Sequence, residues 1–275
     1  MHFGTRSEIL ATNDQAFVHS AAGQSGCANG AGSQKNEMFN WSIVIPFHNE
    51  AANCREVLRE LRPVLAALPA PAEVIAVDDG SRDATLAALR EVAAEWPAVR
   101  VVPLVGNHGQ AAALFTGMKL ATAPIIIIMD GDGQNVAADI PRLLAALPGA
   151  DMVAGIRAHR NDSWLRRKMS RFANAVRGRL LGDGMRDSGC ALKAFRREVV
   201  DSFLPLRTLY SFMPAMAVAA GFRVVQLEVQ HRPRERGQSH YGLGVMLWRP
   251  ALDMMGLWWW RRRRFPLPQI AKDSK

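Results

Sequence analysis

The chain has 275 residues, 49% of them apolar and 21% charged, with a net charge of +9 and only three cysteines, Cys27, Cys54 and Cys190. That composition excludes a wholly disordered chain and a fibrous helix. Cysteines this sparse build neither a disulfide framework nor a zinc cluster, so a reduced, intracellular setting is expected.

Residues 1–40 are rich in Gly, Ala, Ser, Asn and Gln and lack both a hydrophobic period and the apolar run of a secretory signal, so a disordered tail is expected. From Ser42 the pattern changes. Strand-like runs stand at 42–46, 73–77, 99–104, 124–129 and 151–155, and helical stretches at 51–67, 83–95, 109–121 and 136–147 lie between them. Short, nearly continuous apolar strands alternating with helices predict an α/β fold, a mostly parallel sheet flanked by helices. In such sheets ligands bind beyond the carboxyl ends of the strands.

The first strand is followed by Pro46-Phe47-His48-Asn49-Glu50, with no glycine to bring backbone amides to a pyrophosphate, which disfavours a NAD or FAD fold. No GxxxxGK[ST] occurs either, which removes the phosphate-loop NTPases. The second strand ends in Val77-Asp78-Asp79-Gly80-Ser81. Its carboxylates suit a base or a ribose, and equally suit turn chemistry with a helix cap. The fourth ends in Asp130-Gly131-Asp132-Gly133-Gln134. Two carboxylates one residue apart beyond a buried strand are costly without a cation, and hard oxygen ligands favour Mg2+ or Mn2+ shared with a diphosphate.

SIVIPFHNE, VIAVDDGS and IIIIMDGDGQ, in this order, resemble the family 2 glycosyltransferases of the GT-A (Rossmann-like) fold, over roughly residues 41–240. The resemblance implies inverting transfer of a sugar from a UDP- or GDP-sugar, assisted by a divalent metal. It implies that Pro46, His48, Glu50, Val77 and Asp79 line the nucleotide pocket, that Gly131 and Asp132 sit near the diphosphate, and that Asp130, Asp132 and Gln134 hold the metal. The family usually carries an aromatic where His48 stands.

The charge is uneven: −5 over residues 41–156, the expected nucleotide-sugar half, and +9 over residues 157–197. Two different tasks on one chain are implied, rather than a uniformly basic nucleic-acid binder. Arginines dispersed among small and hydroxyl residues suit a phosphate. Arg157, Arg166 with Ser170, Asp187-Ser188-Gly189 and the run HRPRERGQSHY at 231–241 resemble the dolichyl- and undecaprenyl-phosphate branch of the family. That likeness implies that Arg157, Arg166, Ser170 and Arg234 hold the phosphate of a polyprenyl acceptor at the cytoplasmic face of the membrane. The run ends Ser239-His240-Tyr241 where the branch usually has Ser-Lys-Tyr, and the QxxRW of processive synthases is absent. The rival acceptors are another glycolipid or a saccharide.

Residues 243–260 are apolar but broken by Arg249, Pro250 and Asp253, so they offer no stretch of about twenty residues able to span a bilayer. Three tryptophans followed by Arg261 to Arg264 predict an amphipathic helix over 241–275 that lies on anionic lipid through residues 243–264; a helix packed on the domain or on a second subunit is the alternative. Peripheral or monotopic attachment, helped by a membrane protein or by self-association, is the corresponding expectation.

Overall fold

A computed structural model describes residues 39–158, 175–233 and 243–264. The tail expected over residues 1–40 falls almost wholly outside them. β1 (Trp41–Phe47), β2 (Ala72–Asp78), β3 (Val99–Pro103) and β4 (Ile125–Ile128) alternate with α1 (Cys54–Ala66), α2 (Thr85–Glu95) and α3 (Gln110–Leu120). A 3-10 turn (Ala137–Asp139) leads into α4 (Ile140–Ala146), which carries a proline in its first turn. β5 (Met152–Arg157), helical residues 175–181 (α5), β6 (Lys193–Arg196), α6 (Leu209–Ala219), β7 (Val224–Val229) and α7 (Leu243–Arg263) complete the order.

The seven strands stand in the order β3-β2-β1-β4-β6-β5-β7. All run parallel except β6, which pairs antiparallel with both β4 and β5. The sheet is thus mostly parallel, as the pattern predicts. β6 and β7 were not among the predicted strands, and the reason is visible in their composition. β6 is four residues with a charge at each end, and β7 interleaves Gln226 and Glu228 among its apolar positions.

Each face of the sheet is covered. Cys54, Val57, Leu58, Leu61 and Leu65 recur at helical spacing on α1 and are buried there. With Leu89 of α2 and Leu143 of α4 they cover one face. Leu114 and Met118 of α3, Phe212 and Met213 of α6 and Leu257 of α7 cover the other. The chain leaves β1 toward β2 on one side and returns to β4 on the other, so the crevice at the carboxyl ends of β1 and β4 is the topological switch point.

Candidate active site

Asp130 follows β4 at that switch point. Its backbone N–H donates to Asn135 Oδ1 at 2.8 Å, which folds the loop back on itself, and its Oδ1 accepts from Gln110 Nε2 at 2.5 Å. Asp132 accepts the N–H of Gln134 through Oδ1 at 3.1 Å. Gln134 donates its own amide to the carbonyl of Arg232 at 3.4 Å, a bond that leaves the Gln134 amide oxygen uncommitted. Gly131 lets this loop lie against β1: a Cβ there would stand 2.5 Å from the Phe47 ring and 2.6 Å from the Pro46 carbonyl oxygen.

Burial, and after it the charge of Asp132, push the Asp130 carboxyl up to about 7; Lys193, Arg157 and the Gln110 bond pull the other way. A carboxylate pair short of positive charge, with an amide oxygen next to it and no sulfur, is a donor set that fits Mg2+ or Mn2+. Among the described residues no group of three or more His, Cys, Asp and Glu side chains comes together as a metal site.

Across the crevice lie the loops after β1, β2 and β3. His48 Nδ1 meets the carbonyl of Asp79 at 2.8 Å and therefore carries the proton; Nε2 then accepts from Asn107 Nδ2 at 2.7 Å and Asn49 Nδ2 at 3.1 Å. The ring is thus held in one orientation by three partners. Asp79 is buried, and its two oxygens accept the N–H groups of His108 and Gly109 at 2.8 Å each, at the head of α3. The capping chemistry left open for this motif is what the Asp79 side chain performs. Gly80, at φ +61°, packs directly on Gly106, where a Cβ would come within 2.3 Å of backbone.

Glu50 accepts from Asn53 Nδ2 at 2.5 Å, and its N–H donates to Thr85 Oγ1 at 2.8 Å. Pro46 is buried within β1, and Val77 is buried in the core beneath α3, so Val77 lends the crevice its backbone rather than its side chain.

Arg157 closes β5. Its Nε and Nη2 each donate to Asp187 at 2.8 Å, a two-pronged pair, and its backbone N–H adds a third bond to Asp187 at 3.1 Å. The pair is deep, with 19% of the Arg157 side chain and 5% of the Asp187 side chain exposed. Because β6 runs antiparallel, residues 187–192 enter it from the crevice side, which is why Asp187 meets Arg157 there. Lys193, the first residue of β6, is buried, donates to the Cys190 carbonyl, and has its pKa lowered first by desolvation. Arg166, Ser170 and Arg234 lie outside the described residues.

Motif reading did not put Gln110, Asn135, Asn107, Asp187 or Lys193 among the site residues. Asn135 adjoins the recognised motif and Gln110 heads a predicted helix, but nothing in the local pattern aims either at Asp130.

α7 departs in part from the lipid-surface expectation. Asp253, one of the residues that break the apolar run, faces the domain and takes both the N–H and the hydroxyl of Thr208, at 3.0 and 2.5 Å, at the head of α6. Arg261 and Arg264 donate to the carbonyls of Leu181 and Ala219, so two of the four arginines hold the helix to the domain. Arg262 lies over Trp258 at 4.3 Å. Leu252, Met255 and Trp259, spaced by three and four residues, remain 57%, 64% and 59% exposed. No helix among the described residues is long and apolar enough to cross a membrane.

Undecaprenyl-phosphate 4-deoxy-4-formamido-L-arabinose transferases from Edwardsiella ictaluri and Pseudomonas fluorescens are 38% and 39% identical to this chain over 205 and 203 residues. Those stretches cover 74% and 73% of this chain but 63% and 59% of those proteins, so the chain spans less than two thirds of their length. A mannosyltransferase from Pyrobaculum calidifontis, solved in complex with GDP-Man and Mn2+, superposes with a TM-score of 0.59 at 22% identity over 85% of this chain and 67% of its own. Glucosyl-3-phosphoglycerate synthase from Mycobacterium tuberculosis, solved with Mn2+, UDP and glucosyl-3-phosphoglycerate, does so at 0.59 and 19% identity over 81% and 80%. At those identities the two structures speak for the GT-A fold alone. Residues 42–204, more than half of the sequence and the stretch that carries all three strand-end motifs, match the model of Glycosyl transferase family 2, and the chain belongs to that family.

Proposed function

We propose that this chain is an inverting glycosyltransferase that moves one sugar from a nucleotide-sugar to the phosphate of a polyprenyl lipid at the cytoplasmic face of the membrane. The observation that carries the reading is the pairing of two unlike charge centres at one end of the sheet. The Asp130–Asp132 carboxylates and the Arg157–Asp187 pair lie close enough for Arg157 to act on the titration of Asp130. Relatives named as undecaprenyl-phosphate sugar transferases support the acceptor class.

In this reading His48, Asn107 and the 78–81 turn hold the nucleoside, and Gly131 leaves room for the diphosphate beside Asp132. Asp130, Asp132 and the amide oxygen of Gln134 would hold Mg2+ or Mn2+, which when bound neutralises charge on the departing diphosphate. Arg157 keeps Nη1 and one Nη2 hydrogen for the acceptor phosphate, with Arg166, Ser170 and Arg234 assigned beside it. A phosphate oxygen attacks the anomeric carbon while the bond from that carbon to the diphosphate oxygen breaks, and the nucleoside diphosphate leaves with the electron pair. The attacking phosphate is already ionised at neutral pH, so no general base has to remove a proton. Orientation of two anions, rather than proton transfer, is what the protein supplies.

The exposed Leu252–Met255–Trp259 face, with Arg262 and Arg263 next to it, supports peripheral attachment to anionic lipid. Purified protein with undecaprenyl phosphate, Mn2+ or Mg2+ and a panel of radiolabelled UDP- and GDP-sugars is expected to pass label into an organic-extractable lipid. Asp132→Ala is expected to lose at least about a hundredfold of that rate, the scale of removing an electrostatic anchor of a transition state. Donor hydrolysis, or label in another product with none in lipid, would remove the polyprenyl acceptor from this reading.

A further inference from the structure

The segment that leaves β7 is fastened to the carboxylate loop. Asn135 and His231 form an isolated antiparallel bridge. The N–H of Arg232 donates to the Gln134 carbonyl at 2.9 Å, and Gln134 Nε2 returns a bond to the Arg232 carbonyl at 3.4 Å. Two residues before Arg232, the N–H of Gln230 donates to Asp139 Oδ2 at 2.6 Å. Asn135 in turn holds the backbone of Asp130. The carboxylate loop and residues 230–232 are therefore one hydrogen-bonded unit.

A third element reaches this unit from the far side. Arg232 Nη1 donates to both oxygens of Glu60 on α1, at 2.8 and 2.9 Å, across 172 residues of sequence. Glu60, Glu56, Asp132, Asn135, Arg232 and Pro233 line a cavity of about 430 Å3. Inside that lining Arg232 is the basic residue among three carboxylates. The Glu60 and Arg232 side chains are 32% and 45% exposed, so their pairing contributes little to stability. What it does define is where Arg232 sits, and with it the Gln134 amide.

We infer that Glu60 and Arg232 are positioning residues: a clip between α1 and the end of β7 that sets the carboxylate loop and the start of the 231–241 run in one register. This rests on the proposed function for what the two segments bind. Neither residue is assigned a contact with donor or acceptor in that reading. Their effect passes through Gln134 on one side and through the chain that continues to Arg234 on the other.

The test is hydrogen–deuterium exchange of the metal-free protein, combined with kinetics. Glu60→Gln and Arg232→Gln are each expected to raise exchange in peptides covering 230–233 and 133–136 together, by about threefold or more, with the melting temperature unmoved. The exchanged pair, Glu60→Arg with Arg232→Glu, is expected to restore protection. In the transfer assay the single variants are expected to raise the acceptor KM about fivefold while the donor KM stays within about twofold. Unchanged exchange in Glu60→Gln overturns the clip, and so does a rise at 230–233 with 133–136 unmoved. A joint rise in exchange, in a protein that transfers nothing to lipid phosphate even unsubstituted, upholds the clip and overturns the acceptor assignment.

Discussion

Asp79 spends its side chain on the fold rather than on the crevice. Both of its oxygens bind backbone N–H groups at the head of α3, and its carbonyl fixes the tautomer of His48. Asp79→Asn puts an NH2 group opposite one of those donors. The substitution is expected to cost about 1–2 kcal/mol in a denaturant melt and to raise the donor KM, with the acceptor KM unaffected. Equal effects on both substrates would show that the cap supports the whole domain rather than the nucleotide side. The sequence motif at 78–81 announced a turn and a cap but not their beneficiary, because the N–H groups concerned are 29 and 30 residues downstream. Asp130 and Asp132 were legible for the opposite reason. Their proximity is a matter of chain spacing, and a strand of four isoleucines just upstream identifies the end on which they sit. Gln110 and Asn135 reach Asp130 only through the folded loops, so no local pattern declared them.

The elements were legible in proportion to how closely their burial follows a period. β1, β2 and β4 are buried along nearly their full length and read as apolar runs. β6 escaped because its middle is short and its first residue is a buried lysine. α7 was read as a helix for its tryptophans and arginines, but its facing was set by partners outside it: Thr208, the Leu181 carbonyl and the Ala219 carbonyl. That separation of faces gives a prediction. Replacing Leu252, Met255 and Trp259 together by Ser is expected to weaken sedimentation with phosphatidylglycerol vesicles by at least about tenfold, since each side chain then forfeits its apolar transfer into the interface. The melting temperature is expected to hold, because all three are exposed. Asp253→Ala is the converse control: it removes the Thr208 bonds and lowers the melting temperature with vesicle binding retained. Vesicle binding that survives the triple substitution would leave α7 as a strut of the domain alone.

At the scale of the molecule, the strand order sorts the charges that the sequence showed as two blocks. β3, β2, β1 and β4 come from the acidic stretch and occupy one side of the sheet; β6 comes from the basic stretch and lies with β5 and β7 on the other. On the proposed reading an anionic acceptor is guided by the field of many charges, which salt screens over about 8–10 Å, whereas a diphosphate in direct contact with a cation is screened less. Raising ionic strength from about 0.05 to 0.5 M is therefore expected to lift the acceptor KM severalfold and the donor KM less. An equal rise in both would mean that the segregation has no bearing on encounter.

The antiparallel strand has a metric consequence. By entering between β4 and β5, β6 holds the strand ends that carry Asp130 and Arg157 two sheet spacings apart, about 9–10 Å. On the proposed reading the sheet is a ruler between the departing diphosphate and the incoming phosphate, with the migrating sugar bridging the gap. On that reading the joined sugar and lipid phosphate fill the same interval. Turnover on the proposed reading is then distributive: one sugar is added at each encounter, and the glycolipid leaves before another donor enters.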